Sequence, residues 1–144
     1  MSLVASSSST ENESYPLLRD AYAIIDGIPR QRFNLDHWRR SGKSPQDCGT
    51  IACAAGWLAM HPMMRKKGLR SGGYGQPVFR GDLGIDRNEY DALSKFFSIT
   101  YDQAKSLFCT RWMTSAYNPP SLRGYSDKEL WKYRVRKFLK ETKI

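Results

Sequence analysis

Residues 47–57 read DCGTIACAAGW, which puts Cys48 and Cys53 five positions apart with His61 just beyond. Thiols and imidazole this close in sequence raise two chemistries, metal ligation and nucleophilic attack. A zinc site wants a first pair about two to four residues apart and four donors in all. If both cysteines lay on one helix, five steps of 100° would leave them about 140° apart around its axis. Cys53 and His61 lie closer in angle but roughly 12 Å apart along the axis. The remaining donors of these types are Cys109 and His37, so neither a metal site nor a cofactor is expected.

Nucleophilic attack would fall to Cys48, which precedes the expected helix, where the macrodipole and free N–H groups lower a thiol's pKa. Its base would be His37, oriented by Asp36 or Asp47, since His61 stands at the far end of the helix. The competing reading makes Cys48 a small residue before a turn at Gly49 and Cys53 a core residue. The structural reading is preferred, and a Cys48/His37 enzyme is the alternative.

Charge is the second chemistry. The net charge is +9 over 144 residues, unevenly spread. Residues 1–27 carry −3, 28–80 carry +8, 81–120 carry −1 and 121–144 carry +5. Lys128, Lys132, Arg136 and Lys140 recur every four residues and form one ridge on a helix, with Arg134 and Lys137 widening it. Arg65, Lys66, Lys67 and Arg70 make a second cluster, followed by Tyr74, and Arg30, Arg32, Arg39, Arg40 and Lys43 a third. Like charges at i, i+4 repel, so a surface that only needed solubility would intersperse carboxylates. The blocks point to an anionic macromolecule, DNA, RNA or an acidic patch on a host protein. No recognition-helix or RNA-binding motif stands out, so sequence-specific readout is not expected.

The elements that must carry these groups are mainly α-helical. Leu17, Leu18, Ala21, Ile24 and Ile25 form one apolar stripe after Ser14, ended by Gly27 and Pro29. A second helix, from about Thr50 to His61 and stopped by Pro62, is apolar all round and should be the most buried. Its Ala52, Ala55, Gly56 and Ala59 make a small-residue seam that permits close approach. Thr100/Gln103 and Ser126/Glu129 read as capping boxes, and Asp86/Glu89 has the same spacing. The last helix turns Trp131, Val135 and Phe138 inward.

Residues 68–84 hold six of the 11 glycines and read as a mobile or partner-contacting loop with a short hairpin around Val78–Phe79. They lack the Gly-Lys-Ser/Thr of a phosphate-binding loop. The expected organisation is a flexible tail over 1–14 and one helical domain of about five helices over 15–144. No apolar run suits a membrane span, no secretory signal stands at the start, and three cysteines fit a reducing compartment, so a cytoplasmic protein without a membrane partner is expected.

The blocks FNLDHW (33–38), CGTIACAAGW (48–57), LGI (83–85), QAKSLF (103–108) and Trp112 resemble a family of small proteins of bacteria and their phages. The family's pattern is F-D-M-x-x-W, C-G-T-x-x-C-x-A-G-W, L-G-L, Q-A-x-x-L-F and W; Asn34 and Leu35 stand where it has Asp and Met. The resemblance implies a compact helical fold and a bacterial or phage origin, with no catalytic residue to carry over. The expected function is a non-enzymatic binding protein of a phage or mobile element, or, alternatively, a virion or assembly component.

Overall fold

The computed structural model describes residues 15–39, 51–81 and 84–142. Helix α1 spans Pro16–Asp26 and buries Leu18, Ala21 and Ile25, the inner positions of its apolar stripe. Ser14 lies outside the described residues, and the helix instead opens on Tyr15 in a left-handed conformation with Pro16 at its first position. A 3-10 turn at Arg30–Arg32 leads into an extended segment, where Phe33 forms a parallel bridge with Ala52.

The helix expected from about Thr50 begins only at Ala54: α2 is Ala54–Met60, and every residue in it is buried. The reason is pairing with a segment earlier in the chain. Ala52 N donates to Arg32 O at 3.2 Å and Cys53 N to His37 O at 2.7 Å, which keeps residues before the helix extended against 32–37. Pro62 ends one helix and begins another, α3 (Pro62–Lys66), with His61 Nδ1 accepting from Met63 N at 3.1 Å as a cap.

Next comes a three-stranded antiparallel sheet in the order β1 (Leu69–Ser71), β2 (Pro77–Arg80), β3 (Asp86–Asn88). The expected hairpin is present and gains a third strand, so the mainly helical fold carries a small three-stranded sheet. Asp86 does not open a capping box: it sits in β3, and α4 starts at Glu89 and runs to Phe97. Helix α4 lies over the sheet, Phe96 meeting Phe79 edge-on at 5.4 Å.

Helix α5 (Tyr101–Phe108) carries the Thr100/Gln103 box in full, with Gln103 N to Thr100 Oγ1 at 3.0 Å and Thr100 N to Gln103 Oε1 at 2.9 Å. The long last helix, α6 (Asp127–Glu141), is capped by Ser126, whose hydroxyl accepts from Glu129 N at 3.2 Å. Its inner face, Leu130, Trp131, Val135 and Phe138, is fully buried. An aromatic chain knits the helices together: Phe97 stacks on Phe108 at 5.8 Å, Phe108 meets Trp131 at 5.9 Å, and Trp131 stacks on Tyr22 of α1 at 6.4 Å. No helix among the described residues is long and apolar enough to cross a membrane.

Candidate functional site

The ridge on α6 divides into two halves with different work. Lys128 Nζ donates to the backbone oxygen of Asp26 at 2.9 Å, and Lys132 Nζ pairs with Asp26 Oδ1 at 2.5 Å. These two lysines satisfy the last residue of α1, where carbonyls lack partners and the helix dipole is negative. The Lys132 ammonium, by hydrogen bond and charge, holds the Asp26 carboxyl below its ordinary range, and the same hydrogen bond raises Lys132. The N-terminal half of the ridge therefore fastens α6 to α1.

Arg134, expected to widen the basic ridge, points the other way and is fully buried. Its guanidinium donates to Asn118 Oδ1 at 2.8 Å, to Cys109 O at 2.6 Å and to Thr110 O at 3.1 Å, with Leu107 O at 3.4 Å. It supplies donors to the carbonyls at the C-terminal end of α5 and to the chain just beyond, a place where backbone acceptors would otherwise be orphaned. Burial pushes its pKa down, yet an arginine stays charged in a protein. Arg134 is a structural anchor and leaves the set of surface-binding residues.

The C-terminal half of the ridge is open. Tyr133, Arg136, Lys137 and Lys140 line a cleft of about 510 Å³ together with Glu141. They follow i, i+3, i+4, i+7 spacing and so form a single stripe. Arg136 is exposed, donates to the Tyr22 hydroxyl at 2.8 Å and lies over the Tyr133 ring at 6.0 Å. Lys137 approaches Glu141 at 3.9 Å, and Lys140 is exposed. On the other side of Arg136 a second cleft of about 250 Å³ is lined by Arg19, Tyr22 and Leu139. Arg136 thus stands between two hollows, one bounded by α1.

The other basic clusters differ in kind. Arg65, Lys66 and Lys67 are exposed at the end of α3, a position favourable to cations. Arg70 and Arg80 converge on Asp86 Oδ1 at 3.1 Å and 2.9 Å, and Arg80 first, then Arg70, holds that carboxyl low. Tyr74 is exposed and donates its hydroxyl to Glu89 Oε2. The glycine segment is fastened: Gly72 N donates to Gln76 O at 2.8 Å, and buried Gln76 donates to Asn88 Oδ1 at 3.1 Å. Gly75, at φ +85, leaves no room for a side chain, since a Cβ there would come within 2.4 Å of Arg39 Cβ. Arg32 lies over Trp57 at 5.0 Å. Arg40 and Lys43 fall outside the described residues.

Cys48 also falls outside the described residues, so its relation to His37 is not on view; the His37 side chain is exposed. Cys53 is a buried free thiol, pushed up to about 11 by burial, and Cys109 is buried and raised by the same cause. Neither is an activated nucleophile. Among the described residues no three His, Cys, Asp or Glu side chains gather as a metal-ion group would require.

No family model matches the chain, and neither a curated protein nor a solved structure matches it. Function must be read from the surface itself. Three contributors to that surface escape a reading of the charges of α6 alone. Tyr133 carries no charge, but its i−3 relation to Arg136 is a signal available from helical spacing. Arg19 and Tyr22 reach the same face from α1, which only the packing of α1 against α6 reveals.

Proposed function

We propose that the protein is a non-enzymatic binding protein that engages an anionic macromolecule through the C-terminal half of α6. The observation that supports this best is the cleft lined by Tyr133, Arg136, Lys137 and Lys140. Three cations along one stripe, offset in part by Glu141 at 3.9 Å from Lys137, repel one another, and a polyanion relieves that repulsion while releasing its own counterions. Lys128 and Lys132 are already engaged with Asp26, so the stripe further along the helix is the part left for a partner. Nucleic acid is the commonest polyanion of this kind, and Arg65, Lys66 and Lys67 offer a second basic surface. A bacterial or phage origin belongs to the same proposal, carried by the CGTIACAAGW block.

The test is binding of fluorescent nucleic acid at several salt concentrations, comparing the wild type with Arg136→Gln/Lys137→Gln/Lys140→Gln. The triple variant should bind more weakly at every sequence, because phosphate contacts position without specifying. Its log K against log salt slope should flatten by roughly 2 to 3 units. Unchanged binding would reduce the stripe to a solvated face.

A further inference from the structure

We infer that the stripe of α6 seats a single nucleic-acid strand, with the Tyr133 ring stacking on a base while Arg136, Lys137 and Lys140 meet phosphates. The inference rests on the polyanion reading above and narrows it to one form of partner.

Shape is the first argument. A duplex presents a convex rod of phosphates, and its bases are reached only by an element inserted into a groove. Helix α6 is held on two sides, because Trp131, Val135 and Phe138 bind one face into the core and Lys128 and Lys132 attach another to α1, which leaves little of it to enter a groove. What it offers instead is a shallow, open surface of about 510 Å³ along the helix, lined by Tyr133, Arg136, Lys137, Lys140 and Glu141.

Chemistry is the second. A partner recognised by charge alone would need no aromatic group among the cations. Here the half-buried Tyr133 ring lies in the wall of the cleft, steadied edge-on by Tyr125 at 5.6 Å, and the Arg136 guanidinium lies over it at 6.0 Å. A phenol and a guanidinium together make a surface on which any base can stack, whereas a carboxylate-rich peptide would leave the ring unused.

The experiment is fluorescence anisotropy on the full chain with three probes: a short oligothymidylate, a duplex of the same length, and polyglutamate of matched charge. The single strand should bind most tightly, with a salt slope near 2 in magnitude for three phosphate contacts. Tyr133→Leu should weaken the strand by about tenfold and leave the duplex nearly unaffected, while Tyr133→Phe keeps the strand. Lys140→Gln, at an exposed position, gives an independent reading by flattening the strand's slope by about 0.7. A thermal melt of each variant identifies any loss due to unfolding. Equal affinity for strand and duplex, unchanged strand binding by Tyr133→Leu in a folded protein, or an unchanged slope in Lys140→Gln would overturn the inference and leave the polyanion reading standing. A preference for polyglutamate would overturn it in favour of an acidic protein. No binding of any of the three probes at low salt would remove both.

Discussion

The backbone carbonyl of Trp38 occupies the space that a side chain on Gly56 would need: a Cβ built there would lie 1.5 Å from Trp38 O. At Gly56 the small-residue face of α2 is therefore matched to the backbone at Trp38, and the close approach there is not by another helix. Gly56→Ala should already destabilise the protein by about 1–3 kcal/mol, and Gly56→Leu by more, because backbone must move. Chemical denaturation checks this. A Gly56→Ala midpoint equal to wild type would mean that the 33–38 segment can leave α2 freely.

Arg134 offers a second test of structure against charge. Arg134→Met should cost about 3 kcal/mol or more, since it strands several buried acceptors at once. Arg134→Lys should not rescue it, because one ammonium cannot span Asn118, Cys109 and Thr110 as a planar fork does. Arg136→Gln, only two residues on but exposed, should leave the melting temperature nearly unchanged. If Arg134→Met and Arg136→Gln behaved alike in the melt, the anchoring role would be lost.

The Asp26–Lys132 pair predicts a pH window. Asp26 is lowered from an ordinary value of 3.8, so its contribution is fully present above that value and is lost as pH falls through the lowered folded-state pKa. Lys132 is raised from 10.5, so its contribution is present below that value and is lost as pH rises through the raised folded-state pKa. The attachment of α6 to α1 should hold across neutral pH and loosen at both extremes. Carboxyl NMR titration of Asp26 should show the lowered midpoint, and Lys132→Met should return it upward. An Asp26 midpoint insensitive to that substitution would refute the pairing.

Thiol chemistry separates the binding reading from the enzyme alternative. Cys53 and Cys109 should resist a disulfide reagent at neutral pH until the protein unfolds, as buried thiols with raised pKa values do. Any fast-reacting thiol in the native protein then belongs to Cys48, and Cys48→Ser should abolish that reaction without weakening strand binding. An acidic Cys48 whose replacement also destroyed a measurable turnover would reinstate the Cys48/His37 pair.

Much of the scaffold could be read from residue spacing. The stripe of α1, the box at Thr100/Gln103 and the inner face of α6 follow local rules, in which a side chain three or four positions away decides the outcome. What could not be read depends on distant partners. Cys53 N is taken by His37 O, so α2 starts late; Asp86 is claimed by Arg70 and Arg80, so the box it seemed to open with Glu89 never forms. Arg134 shows the same limit for the site. Its spacing belongs to a basic helix, but the carbonyls that draw it inward lie 24 to 27 positions earlier in the chain. The charge pattern singles out the last helix but does not tell which of its cations are already spoken for.

The attachment of Lys132 to Asp26 joins residues 106 positions apart, and that distance has a meaning in time. On a ribosome adding about 5–20 residues per second, Asp26 would be made roughly 5–20 s before the lysine that holds it. During that interval Leu18, Ala21 and Ile25 lack the helix that later lies beside them. The core can close only when the last helix arrives, so translation speed and chaperone protection of the nascent N-terminal half should govern the yield of folded protein more than the stability of any single early helix.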